Sequence, residues 1–194
     1  MRHFLLLAFI FLLSCRNENP EVPTKKTEAT TQDNKEHIKS EEVPTLDNTP
    51  DYNGDGQPDE AIVKLIKEGS GNPIEDGTPS EYSIVFNEKL PDLPIGCCDA
   101  TIINEGDLDN DGADDFSVFQ SPMNGCTYTM TTYTYKKGKW NQLITPILIP
   151  TGCDNISATD IEARIFTENG KLYFMETDFS DEDFKLIKKE VKSY

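Results

Sequence analysis

Two nine-residue stretches constrain this chain more than anything else in it: Asp51-Tyr52-Asn53-Gly54-Asp55-Gly56-Gln57-Pro58-Asp59 and Asp107-Leu108-Asp109-Asn110-Asp111-Gly112-Ala113-Asp114-Asp115. Both carry an oxygen-bearing side chain at positions 1, 3, 5 and 9 and glycine at position 6. Calcium takes about 6–8 oxygen ligands at ~2.3–2.6 Å, and a short loop whose alternate side chains turn inward supplies most of that shell. Glycine at position 6 permits the sharp turn that lets position 7, Gln57 or Ala113, offer its backbone carbonyl. The expected ligand sets are Asp51, Asn53, Asp55, Gln57 and Asp59, and Asp107, Asp109, Asp111, Ala113 and Asp115. The pattern therefore predicts two Ca2+ sites. Four carboxylates against three predict tighter binding at the second. Magnesium fits less well, because it keeps several waters.

An EF-hand places a bidentate Glu at position 12 and then a helix. Here position 12 is Ile62 or Val118, inside the β-branched and aromatic runs Ala61-Ile62-Val63-Lys64-Leu65-Ile66 and Phe116-Ser117-Val118-Phe119. Loop then strand is the expected arrangement. The segments 51–63 and 106–119 resemble the calcium loops of FG-GAP and VCBS-type repeats, which build integrin propellers and many bacterial surface proteins. That resemblance implies an all-β domain of antiparallel, propeller-blade-like hairpins. It does not imply a complete propeller, because two blades cannot close a ring of four or more.

The remaining pattern is also β. Glu81 to Phe86 reads as a strand, Leu90 to Gly96 as a proline-containing connection, and Cys98 to Ile103 as a strand entering the second loop. Cys126 to Tyr135 is nearly pure β composition and is followed by Trp140 to Ile144. Ile161 to Phe166 is expected to pair with Lys171 to Met175 across Asn169-Gly170, a strong hairpin signal. Phe184 to Val191 fits either a strand or a short helix. Asp178, Asp181 and Asp183 lack a glycine and the 1-3-5 spacing, so they predict no third site. Tyr128, Tyr133, Tyr135 and Trp140 are read as sheet packing rather than as a sugar platform.

Residues 1–14 read as a secretion signal. Arg2 is followed by an unbroken apolar run, Phe4 to Leu13, too short for a bilayer, which needs about 17–25 residues. Leu12-Leu13-Ser14-Cys15 resembles a bacterial lipobox, which implies cleavage before Cys15 and lipid on its sulfur. Arg16 in place of Asp gives no inner-membrane retention signal by that resemblance, and Asn17-Glu18-Asn19-Pro20-Glu21 resembles the export tags of Bacteroidota lipoproteins. The expected location is the outer membrane, on its periplasmic or cell-surface side. Residues 15–46 have the composition of a disordered tether, and 47–194 are the expected calcium-binding β domain.

The 194-residue chain has 35 acidic against 18 basic side chains, a formal charge of −17, which argues against a nucleic-acid partner. Its two histidines, His3 and His37, both precede the expected domain. Histidine-based catalysis and histidine-ligated zinc are thereby excluded for that domain. With Cys15 lipidated, Cys97, Cys98, Cys126 and Cys153 predict two disulfides in an exported protein. Neighbouring residues of an extended segment face opposite ways, so Cys97 and Cys98 are expected to take different partners, Cys126 and Cys153 in either order, in preference to a vicinal Cys97–Cys98 disulfide or a redox thiol pair, for which there is no C-x-x-C. These features together predict a membrane-tethered, non-catalytic binding module for an envelope protein or glycan. The alternatives are a carboxylate-based hydrolase acting on glycan, which needs only two suitably spaced acids, and a periplasmic calcium sensor.

Overall fold

The computed structural model describes residues 49–87 and 89–192, all within one compact unit, Thr45–Tyr194. The expected signal (1–14), lipidated Cys15 and tether (15–46) lie outside the described residues. The first acidic loop runs straight into β1 (Ala61–Lys67), which pairs with β2 (Glu81–Phe86), and β2 with β3 (Leu93–Gly96). Next comes β4 (Ala100–Gly106), which enters the second loop. That loop delivers β5 (Asp115–Gln120), followed by β6 (Thr127–Lys136), β7 (Lys139–Gln142) and β8 (Ile147–Pro150). A short helix, α1 (Ala158–Glu162), precedes β9 (Ile165–Glu168), β10 (Lys171–Thr177) and β11 (Leu186–Glu190). All strand pairs are antiparallel, in three sheets ordered β1-β2-β3, β4-β5-β6-β7 with β8 beside β6, and β11-β10-β9. Among the described residues the architecture is antiparallel β hairpins in open sheets, as expected, with no closed barrel.

β5 is the centre of the molecule because it is buried on both faces. Phe116 and Val118 join Tyr52, Ile84, Phe86 and Leu90 in one core cluster. Phe119, on the opposite face, joins Met130, Ile147, Ile149 and Ile165 in a second. The polar interruption on that second face is satisfied internally: the Ser117 and Thr132 hydroxyls are buried 2.9 Å apart. Trp140 stacks on Phe86 at 4.6 Å, and its indole N–H donates to the Pro91 carbonyl at 2.7 Å. Tyr128 stacks instead on Phe119 at 4.7 Å. Tyr128 thus packs against one core cluster, and Tyr133, Tyr135 and Trp140 against the other.

Three expectations need correction. Residues 93–96 of the supposed connection form β3; Pro94 is tolerated because β3 is an edge strand. The segment from Ile161 to Phe166 is not one strand. Ser157 caps α1 by accepting from the Asp160 N–H at 3.1 Å, so the chain is helical through Glu162 and extended only from Ile165. The turn itself is as predicted, with Asn169 and Gly170 both at positive φ (52° and 72°) and Lys171 opposite Glu168.

The disulfides also pair differently: Cys97 with Cys98, and Cys126 with Cys153. The alternation rule fails for the first pair because both cysteines lie in the bend between β3 and β4, outside any strand. The second pair follows from β8, which the sequence reading did not anticipate. Thr127 lies opposite Pro150 and the Thr151 N–H donates to the Cys126 carbonyl at 2.8 Å, which brings Cys126 and Cys153 to the same end of the ladder.

Candidate metal centre

The two loops are copies of one hydrogen-bonded design. At position 1, Asp51 accepts from the Asp55 and Gly56 N–H groups at 3.1 and 2.7 Å. Asp107 accepts from Asp111 and Gly112 at 3.1 and 2.9 Å. At position 5, Asp55 and Asp111 accept from the N–H of position 7, Gln57 and Ala113, at 2.9 and 3.1 Å. At position 9, Asp59 and Asp115 accept from the N–H of position 2, Tyr52 and Leu108, at 2.9 and 3.0 Å. Position 6 is left-handed in both, Gly56 at φ 79° and Gly112 at φ 91°, which is why glycine stands there. Position 4 is left-handed too, filled once by glycine (Gly54, φ 69°) and once by asparagine (Asn110, φ 59°), the two residue types that tolerate it.

Each loop is fastened by its position-2 side chain. Tyr52 is buried in the Phe86–Phe116 cluster and Leu108 in the Phe119–Met130 cluster. Burying such a side chain contributes about 1.5–3 kcal/mol, more than the about 0.5–1.5 kcal/mol of a loop hydrogen bond, so the anchor holds the loop to the core.

The two loops differ at position 3, and that difference decides where a buried carboxylate oxygen is left without a hydrogen-bond partner. In the first loop the Asn53 amide donates to Asp59 Oδ1 at 3.4 Å, so both oxygens of the buried Asp59 have partners. In the second loop position 3 is Asp109, which has no donor. Asp109 Oδ1 and Asp115 Oδ1 are both buried without a hydrogen-bond partner, and Asp115 is fully buried. Acceptor oxygens of Asp107, Asp109 and Asp115 converge to within 4.8 Å of one another. Burial, foremost, pushes the Asp115 carboxyl up to about 7; the Leu108 N–H acts against it, and Asp109 and Asp111 add to it. The Thr134 hydroxyl is near enough to favour the charged form but makes no hydrogen bond of normal geometry. An unpaired charge in such a place costs several kcal/mol unless something positive sits beside it.

Of the expected ligands, then, Asp107, Asp109 and Asp115 are gathered. Asp111 is turned toward Lys136, whose ammonium lies 3.3 Å from Asp111 Oδ2 and 2.5 Å from Asp109 Oδ2. Asp51, Asp55 and Asp59 do not converge as closely among the described residues, and Lys89 lies 2.6 Å from Asp55 Oδ2. The Gln57 side chain only reaches the Gly56 carbonyl, at 3.0 Å. Sequence reasoning missed both lysines, since nothing local marks Lys136, at the end of β6, as a neighbour of a loop 27 residues away. It also missed Asp114, which touches the other loop.

The donor set, all oxygen and mostly carboxylate, suits a hard divalent cation such as calcium. No family model matches the chain, and no curated protein or solved structure is significantly similar to it.

Proposed function

We propose that this protein is a calcium-stabilised β module, carried on an outer-membrane lipid anchor at Cys15, that serves the cell envelope as a non-catalytic binding module for a protein or glycan. The observation that carries the calcium reading is the pair of buried, unpartnered oxygens, Asp109 Oδ1 and Asp115 Oδ1, inside the Asp107–Asp109–Asp115 cluster. A divalent cation there supplies a partner for two buried carboxylate oxygens that accept no hydrogen bond. The first loop has the same backbone design and supplies a second, weaker site. The anchor rests on the lipobox-like sequence ending in Cys15. Among the described residues no helix is long and apolar enough to cross a membrane.

Thermal unfolding of the disulfide-intact protein, in calcium and in chelator, tests this. Occupancy at a hundredfold excess over Kd stabilises by about 2.7 kcal/mol per site, and for a chain of this size each kcal/mol raises Tm by about 2–4 °C. A calcium-dependent rise of about 5 °C or more is expected. An unchanged Tm would mean that the loops are turns only. Titrating the rise separates a structural site from a sensor, because it places Kd relative to ambient calcium.

A further inference from the structure

The two loops touch. The Asp51 N–H donates to Asp114 Oδ2 at 2.8 Å, and the Asp51 carbonyl accepts from the Asp114 N–H, also at 2.8 Å. Beside this bridge the chains approach closely: a Cβ on Gly54 would lie 3.3 Å from the Gly112 carbonyl oxygen. Asp51 is position 1 of the first loop, and its carboxylate organises the Asp55 and Gly56 amides. Asp114 stands between positions 7 and 9 of the second, next in the chain to the buried Asp115. It belongs to neither ligand set. Its equivalent in the first loop is Pro58, which has no N–H and no side-chain acceptor.

We propose that the two loops form one linked unit, in which a cation held by either strengthens binding at the other, and that Asp114 is the positioning residue that links them. The inference rests on the calcium reading of the loops. Ordering position 1 of the first loop orients the Asp51 N–H and carbonyl, and those two groups hold Asp114. Asp114 in turn sets the chain direction into Asp115. Coupling of this kind is reciprocal and typically about 5–150-fold in affinity. Two neighbouring cations repel, but the seven ligand carboxylates (Asp51, Asp55, Asp59, Asp107, Asp109, Asp111 and Asp115) carry more charge than two divalent ions bring.

Calcium titration by calorimetry tests it, using the intact protein, Asp55→Ala to disable the first loop, Asp109→Ala to disable the second, and each of these combined with Asp114→Ala. Two equivalents are expected in the parent. Disabling either loop weakens the other by about fivefold or more when Asp114 is present, and by less than about twofold when it is Ala. Asp114→Asn keeps a side-chain acceptor for the Asp51 N–H and is expected to restore the linkage, which a purely electrostatic role of Asp114 would not allow. If two equivalents bind and each loop ignores the loss of the other, the linkage is wrong and the calcium reading stands. If the penalty persists in Asp114→Ala, or Asp114→Asn fails to restore it, Asp114 is not the link. If no calcium binds, both readings fall together. Should Asp114→Ala not fold, the single-loop variants and Asp114→Asn still decide.

Discussion

At the scale of single residues, the contrast between Asn53 and Asp109 carries the most consequence. One amide group decides whether the second oxygen of the buried position-9 carboxylate finds a partner inside its own loop. Asp109→Asn therefore converts the second loop to the first loop's arrangement. In chelator it is expected to raise stability by about 1 kcal/mol, since a buried acceptor gains a donor, and in calcium it is expected to weaken binding at that loop. Asn53→Asp should do the reverse at the first. Melting curves of both variants in chelator and in calcium provide the check; equal shifts of the same sign in both conditions would show that position 3 does not govern the site. The lysines belong to the same scale. Lys89 sits on the position-5 carboxylate of its loop, and Lys136 on the carboxylates of positions 3 and 5 of the other, so they compete with a cation for those oxygens. Lys136→Met is expected to tighten calcium binding at the second loop by a few-fold, consistent with an ion pair worth about 0–1 kcal/mol where the lysine is solvent-exposed. A weaker affinity would mean that the ammonium supports the ligand geometry instead.

At the scale of elements, β6 shows how a disulfide follows from strand pairing. Its first half pairs with β8 and its second half with β7, while its other edge pairs with β5 over the middle of the strand, Thr129 to Tyr133. The Cys126–Cys153 bond clips the open end of the β6–β8 ladder and closes a loop of sequence separation 27, whereas the Cys97–Cys98 bond closes almost none. Loop-closure entropy then assigns about 2–4 kcal/mol to the first and little to the second. Cys126→Ala with Cys153→Ala should lower Tm by several degrees, and Cys97→Ala with Cys98→Ala far less; comparable losses would contradict the entropic account. The same elements show what could be read from sequence and what could not. Loop-then-strand at 51–67 and 107–120, the long strand at 127–136 and the Asn169-Gly170 turn were legible, because each is announced by local residue types. β8 was missed because Ile147 to Pro150 is a short apolar run, ambiguous without its partner, and the cysteine pairing failed with it. The α1 cap at Ser157 was legible in principle, as Ser-x-x-Asp before Ile161, but the strand expected from the Asn169-Gly170 hairpin signal was extended back over it. Within the site, the two loops and their position-6 glycines were legible from spacing, as was the convergence of Asp107, Asp109 and Asp115. Lys89, Lys136 and the contact of Asp114 with the first loop were not, since each arises from tertiary pairing alone.

At the scale of the whole molecule, each loop hangs on a different half of the core, and β5 belongs to both halves. Tyr52 ties the first loop to the cluster holding Trp140, while Leu108 ties the second to the cluster holding Met130 and Ile149. Phe116 and Val118 on one face of β5, and Phe119 on the other, join the two clusters through one backbone. Neither half can lose its packing without exposing a face of that strand, and several side chains worth about 1.5–3 kcal/mol each would be exposed with it. Removing calcium should therefore lower the stability of the entire unit rather than melt one loop and its sheet. Trp140 is the chain's single tryptophan and reports on one cluster only. Far-UV circular dichroism reports on all three sheets. The two probes are expected to give coincident unfolding midpoints in calcium and, at lower temperature, coincident midpoints in chelator, as a two-state unit requires. A tryptophan midpoint that separates from the dichroism midpoint only in chelator would instead mean that the cation, and not β5, holds the two halves together.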